Sequence, residues 1–334
     1  MNPFSLNSFP RISFPKIYGR KGFTYLIVST VIVVVLLSMF FTTSRYKYQD
    51  QELLQQVRIR AMNDFMKNLN TDIHRATYIS AFRALLALEE NVATTGVYLS
   101  DMDSSFGETF FYGTVNGTNY VIMSNSTFND YLTKVKVLAQ NTGILLNINV
   151  TSVKLMQSNP WSIDVYMYMN ITAVDVKNTA SWNISTEYVT TVPINDLRDP
   201  LYSKNTFNKV PNTIRRLNFT ILVNGTNTSS LLALISDSYY LASPYAPNLI
   251  MRFMGNNSPD PNGIESIVNI SKLALQGLPY YETRVKVDYI YFNNLGTDTV
   301  CNVQNIPASA YFIVPSNRKN LYQIANLTSN TTCS

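Results

Sequence analysis

The chain has 334 residues, long enough for one large domain or two ordinary ones without support from metals or disulfide staples. Its formal charge is +5, but Arg11, Lys16, Arg20 and Lys21 precede residue 43 with no acidic residue among them, so the remaining 26 − 4 = 22 basic residues face 21 acidic ones. No stripe of Lys and Arg is present to displace counterions from phosphates, and nucleic acid is not an expected partner; the surplus flanks an apolar segment, where it reads as a membrane-orienting signal.

Residues 1–22 form that basic leader, expected on the cytoplasmic side. From Phe23 to Phe41 the chain reads FTYLIVSTVIVVVLLSMFF, and no charge interrupts it between Lys21 and Arg45. At about 1.5 Å per residue this makes roughly 30 Å of helix, the thickness of the hydrocarbon core of a bilayer. A soluble helix of that length would carry a polar face, and this one has none. A single transmembrane helix is therefore predicted over 23–42.

The flanks do not orient it, because Arg45, Lys47, Arg58 and Arg60 after the span match the four cations before it. Glycosylation signals do. Twelve Asn-x-Ser/Thr sequons occur, at Asn116, Asn125, Asn149, Asn170, Asn183, Asn218, Asn224, Asn227, Asn256, Asn269, Asn326 and Asn330, all beyond residue 110. That is about twice the number expected from composition. They point to an extracellular C-terminal domain and a cytoplasmic N-terminus; the alternative is an Asn- and Thr-rich β surface with accidental matches. Cys301 and Cys333 fit an oxidising compartment, where one disulfide would contribute roughly 3 to 4 kcal/mol. Two thiols do not complete a tetrahedral zinc site and the single His74 is far away in sequence, so no metal or cofactor is expected.

The junction reads Gly19-Arg20-Lys21-Gly22-Phe23-Thr24-Tyr25-Leu26-Ile27. Lys21, Gly22 and Phe23 resemble the class III (prepilin) signal of type IV pilins and related archaeal surface proteins, in which a basic leader ends in Lys-Gly and cleavage precedes the apolar helix. The resemblance implies processing by a prepilin peptidase and a mature protein that keeps its helix, unlike one released from a secretory signal. Bacterial pilins usually carry Glu at the fifth mature position, where Ile27 stands here. Archaeal relatives generally lack that Glu, so the departure favours the archaeal group. The alternative is an uncleaved single-pass anchor.

Residues 43–95 are expected to extend the helix, since no Gly or Pro occurs between Gly22 and Gly96. Leu54, Val57, Ala61, Phe65, Leu69, Ile73 and Ala76 recur at steps of three or four, a narrow apolar stripe that must cover either the domain's own sheet or neighbouring subunits. Asn70-Thr71-Asp72, good helix starters, mark a possible break. His74, followed by Arg75, reads as a surface residue.

Residues 96–195 are expected to hold a helix and an antiparallel β-meander. Phe110 to Tyr112 and Tyr120 to Met123 are predicted strands about an Asn116-Gly117 turn. A helix is predicted from Phe128 to Gln140, capped by Ser126 or Thr127 and stopped by Gly143. Ile144 to Thr151 and Ile163 to Thr172 alternate with period two, which predicts half-covered strands, and Trp182 to Val192 completes the meander. Residues 196–334 are expected to form a second α+β portion: strands near Leu217 to Val223, Leu249 to Met254, Val285 to Phe292 and Ala310 to Val314, a helix near Ser229 to Tyr240, and a helix or turn near Ile264 to Leu275. Asp199-Pro200-Leu201-Tyr202, Met251-Arg252-Phe253, Gly263-Ile264-Glu265-Ser266 and Val287-Asp288-Tyr289-Ile290-Tyr291-Phe292 together resemble a family of archaeal single-span secreted proteins. That resemblance implies no activity.

Chemistry is thin. Asp101 with Asp103, Asp196 with Asp199, and Asp260 with Glu265 are acidic pairs, but each lies among Asn, Ser, Pro or Gly, where Asp more often caps a helix or shapes a turn than moves a proton. The loop Gly255 to Gly263 has oxygen ligands but not the spacing of a calcium-binding EF-hand. Serine-hydrolase and P-loop patterns are absent. Tyr166 and Tyr168 are the expected platform if sugar rings stack anywhere. The expectation is an α+β protein with a long N-terminal transmembrane and amphipathic helix and a β-rich, pilin-like ectodomain. Its expected role is a membrane-anchored extracellular surface glycoprotein, structural or adhesive and not an enzyme. The expected partners are the lipid bilayer and pilin-like subunits or envelope proteins. The alternative is an anchored, non-polymerising module that binds carbohydrate or a partner protein.

Overall fold

The computed structural model describes residues 20–296, 299–303, 306 and 312–327, without the side chains of residues 20, 21 and 46–52. It divides into two compact units, residues 1–64 and 65–334. Helix α1, Arg20–Thr95, contributes to both.

In the first unit one segment, Gly22–Arg45, is long and apolar enough to cross a membrane, and none of it is buried within the protein. At about 1.5 Å per residue its 24 residues measure roughly 36 Å. Several of its hydroxyls close on the helix itself: Thr30 Oγ1 donates to the Leu26 carbonyl at 2.8 Å, Ser38 Oγ to Val35 at 2.8 Å, and Thr43 Oγ1 to Met39 at 2.8 Å. Their polarity is thus satisfied without water. Further along, Leu54 and Val57 of the apolar stripe are exposed.

In the second unit the stripe is covered from Leu69 onward. Leu69, Ile73, Ala81, Ala84, Leu85, Leu88 and Val92 are buried, and the alanines keep this face narrow. The expected break at Asn70-Thr71-Asp72 does not occur. No residue there lacks a backbone N–H, Asp72 pairs with Arg75 on the exposed side, and an unbroken helix keeps Leu69 and Ile73 on the same covered face. His74 is half-buried rather than a free surface residue: its ring meets Tyr188 edge-on at 5.3 Å and its Nδ1 lies 3.2 Å from Thr190 Oγ1.

Helix α2, Met102–Tyr112, follows. Phe110 to Tyr112 is therefore helical and not a strand. Asp101 caps the helix by accepting from the Ser104 N–H, and Gly113 ends it at φ 74°. Phe106, Phe110 and the later Phe128 form a buried stack, with neighbouring ring centres 5.3 and 5.0 Å apart. The Asn116-Gly117 turn forms as expected, with φ of 50° and 76°, but joins a shorter ribbon, β1 Thr114–Val115 with β2 Thr118–Asn119. Val121–Met123 is a turn of 3₁₀ helix. Helix α3, Phe128–Asn141, has Thr127 in a full capping box with Asp130.

The meander is β3 Ile144–Asn159, β4 Ser162–Asp175 and β5 Ser181–Pro193, antiparallel in sequential order. Ile163, Val165, Met167, Met169, Ile171 and Ala173 of central β4 are all buried, while Tyr168 between them is exposed.

The remaining elements are short: α4 Pro200–Asn205, α5 Ser229–Ser236, β6 Tyr240–Ala242, α6 Leu249–Phe253, β7 Ile264–Ser266, α7 Ile270–Leu275, α8 Asp288–Asn293, β8 Val300–Asn302 and β9 Ile313–Pro315. β6 pairs with β7, and β8 with β9, both antiparallel. Three expected strands are absent here. Leu217 to Val223 makes no strand. Leu249 to Met254 is helical because the Asn248 side chain caps the Met251 N–H, and Val285 to Phe292 turns helical at Asp288. Residues 310 and 311 of the expected strand Ala310 to Val314 lie outside the described residues, and the strand runs from Ile313.

Candidate functional site

Asp199 to Tyr202, Met251 to Phe253, Gly263 to Ser266 and Val287 to Phe292 converge on one buried polar cluster. Asp199, the N-cap of α4, Arg252 of α6 and Asp288 at the start of α8 are each 0 or 1 % exposed. Arg252 Nη1 lies 2.5 Å from Asp199 Oδ2 and 2.9 Å from Asp288 Oδ2. Each carboxylate also ends a chain of donors. Asn212 Nδ2 donates to the Tyr240 hydroxyl at 2.8 Å, which donates to Asp199 at 2.9 Å. Ser266 Oγ donates to Asp288 at 2.9 Å, which leaves the Tyr202 hydroxyl, 2.9 Å away, to donate to Ser266.

A second pair adjoins it. Glu265 of β7 accepts from Arg318 Nε at 3.4 Å and from the Tyr322 hydroxyl at 2.8 Å. Burial raises the carboxyls of both Asp199 and Glu265, opposed by Arg252 and Arg318 respectively. Burial likewise drives the Tyr202, Tyr240 and Tyr322 hydroxyls well above their usual range, so they stay protonated and donate. With two aspartates on one guanidinium and no solvent contact, the cluster is an internal brace tying five short elements together, α4, β6, α6, β7 and α8.

Two further buried ionisable groups were not legible in the sequence. Glu89 of α1 accepts from the Arg198 backbone N–H at 3.0 Å, and burial pushes its carboxyl up to about 7 against that bond and the Arg198 charge. Lys286 is fully buried, and its Nζ donates to the carbonyls of Tyr281 at 2.9 Å, Glu282 at 2.7 Å and Arg284 at 2.6 Å. Burial lowers it to about 8, and three acceptors require all three hydrogens of the ammonium form.

The other acidic residues of the sequence pairs bond to backbone N–H groups or shape turns. Asp103 accepts from the Leu155 N–H at 3.0 Å, Asp196 sits at φ 70° in a turn, and Asp260 accepts from the Asn262 N–H at 2.8 Å. Glu108 clamps the hairpin by accepting from Gly117 N at 2.8 Å, Asn116 N at 3.1 Å and Thr114 Oγ1 at 2.7 Å, and these bonds hold its carboxyl below the usual range. Among the described residues no group of His, Cys, Asp and Glu is placed to hold a metal ion.

Lys21, Gly22 and Phe23 fall in the first turn of α1, with Phe23 exposed. Of the sequon asparagines, Asn116, Asn125, Asn149, Asn183, Asn218, Asn224, Asn227, Asn256 and Asn326 are exposed and Asn170 and Asn269 half-buried; Asn330 lies outside the described residues. Asn149 and Asn170 face each other across β3 and β4. Where these side chains bond, they do so through Oδ1: Asn170 accepts from Ser185, Asn227 from Ser229 N, Asn256 from Ser258 N and Asn269 from Lys272 N. Cys301 is fully buried and disulfide-bonded; Cys333 lies outside the described residues. No family model, no curated protein and no solved structure matches this chain.

Proposed function

We propose that this chain is a membrane-anchored, pilin-like surface glycoprotein whose work outside the cell is structural or adhesive. The observation that carries the reading is the Gly22–Arg45 segment, apolar on every side and unburied, directly after the Lys21-Gly22 junction. The Thr30, Ser38 and Thr43 hydroxyls bond within the helix, as suits lipid. Support for an extracellular domain comes from the sequons. Among the described residues none of their asparagines is buried, whereas Asn91, Asn212 and Asn248, outside any sequon, are. The bonds through Oδ1 leave Nδ2, the atom a glycosyl transfer modifies, available. The lipid bilayer, further pilin-like subunits or envelope proteins, and a prepilin peptidase are the partners of this reading.

Mass spectrometry of the mature N-terminus and of glycopeptides tests it. The expected mature chain begins at Gly22 or Phe23 and carries glycans beyond residue 110. A chain that retains residues before Gly22 removes the pilin reading and leaves a plain anchor; unmodified sequons on protein from its native membrane remove the glycoprotein reading.

A further inference from the structure

An open cavity of about 380 Å³ lies in the C-terminal portion, bounded by Tyr245 beyond β6, Asn257, Tyr289 and Ile290 of α8, Leu295, and Asn317 and Arg318 beyond β9. That volume is at the small end of ligand sites. Arg318 is 3 % exposed, and its guanidinium lies 4.2 Å from the Tyr245 ring centre while donating to the Tyr289 hydroxyl and to Asn317 Oδ1. Tyr245 itself is 45 % exposed. An aromatic ring pinned on one side by a buried cation is a stacking surface with little freedom left to lose.

Two amides are held in the same way. Asn257 Oδ1 accepts from Asn293 Nδ2 at 3.0 Å, and Asn317 Oδ1 accepts from Arg318 at 2.7 Å. Neither Nδ2 makes a hydrogen bond among the described residues, so each remains a donor at the cavity. Among the described residues Arg318 is the one charged residue that bounds the space, and Glu265 already pairs with it. A fixed aromatic ring, apolar walls from Ile290 and Leu295, and two oriented amide donors without net charge suit a ring that is apolar on its C–H face and hydroxylated at its edge.

We propose that this cavity binds a neutral pyranose unit of a glycan. The proposal is independent of where the protein resides. Neither Tyr166 nor Tyr168, the platform expected from the sequence, lines this cavity. The test is saturation-transfer NMR on the full chain in a sugar-free detergent. The probes are methyl glycosides of glucose, galactose, mannose and N-acetylglucosamine, with glucuronate as the charged counterpart. At least one neutral glycoside is expected to receive transfer at its ring C–H protons. Tyr245→Leu should weaken binding about tenfold. Asn257→Ala and Asn317→Asp, the latter keeping the oxygen that Arg318 donates to while removing the Nδ2 donor, should weaken it with little change in the thermal midpoint, which keeps the test valid if Tyr245→Leu unfolds. No transfer to any neutral glycoside, transfer to glucuronate alone, or transfer that survives both rim substitutions would overturn the proposal.

Discussion

Arg252 holds Asp199, 53 residues earlier, and Asp288, 36 residues later, in a volume sealed from water. Removing Arg252 strands two buried carboxylates without their counter-charge, which costs about 3–5 kcal/mol. Arg252→Ala is therefore expected to lose about that much stability in urea unfolding followed by circular dichroism, and a loss under about 1 kcal/mol would show that the brace is dispensable. Glu89 gives a pH signature instead. Its folded carboxyl titrates at about 7 and its unfolded one near 4.5, so below about pH 4.5 both states hold the proton. Between the two values the unfolded chain releases the proton while the folded one keeps it, and stability falls as pH rises, the loss being complete above about 7. Glu89→Gln has no such titration. The variant should gain on the parent steadily across that window and be the more stable protein at pH 8; a constant difference would contradict the assignment.

Elements with strong local patterns were legible in the sequence, except α2, whose aromatic end read as a strand despite Asp101 and Gly113 at its limits, and those defined by distant partners were not. The meander followed from period-two alternation, and Thr127 with Asp130 marks the start of α3 within four residues. The runs about Arg252 and Asp288 are rich in large apolar residues and look like strands, because strand preference measures a half-buried environment more than a backbone choice. In the fold both are one-turn helices that deliver a charged side chain to the brace. The phrases that contain these residues stood out, but only the chain's return brings them together. Gly263, just before β7, shows how tightly this portion is assembled: a Cβ there would meet the Ala246 carbonyl oxygen at 1.9 Å. Backbone cannot swing aside as a side chain can. Gly263→Ala is expected to lower the thermal midpoint sharply, whereas Gly117→Ala, whose Cβ would meet nothing within 4 Å, should cost only the strain of its positive φ, about 1 kcal/mol.

At the scale of the whole molecule, the first unit presents an apolar helix segment to its surroundings, and the second buries none of its described sequon asparagines while enclosing a few paired charges such as Asp199, Arg252 and Asp288. Cys301 adds a covalent tie at the far end of the chain. Reduction under native conditions should be slow, since this sulfur is fully buried, and the reduced protein should be less stable by about 3 kcal/mol. Lys286 has a practical consequence of its own. Amine-reactive reagents and trypsin both need a lysine they can reach, and this nitrogen is engaged by three carbonyl oxygens. Brief acylation of the intact protein should mark lysines such as Lys67 and Lys136 and pass over Lys286, so the extent of its modification becomes a built-in gauge of how often this portion opens.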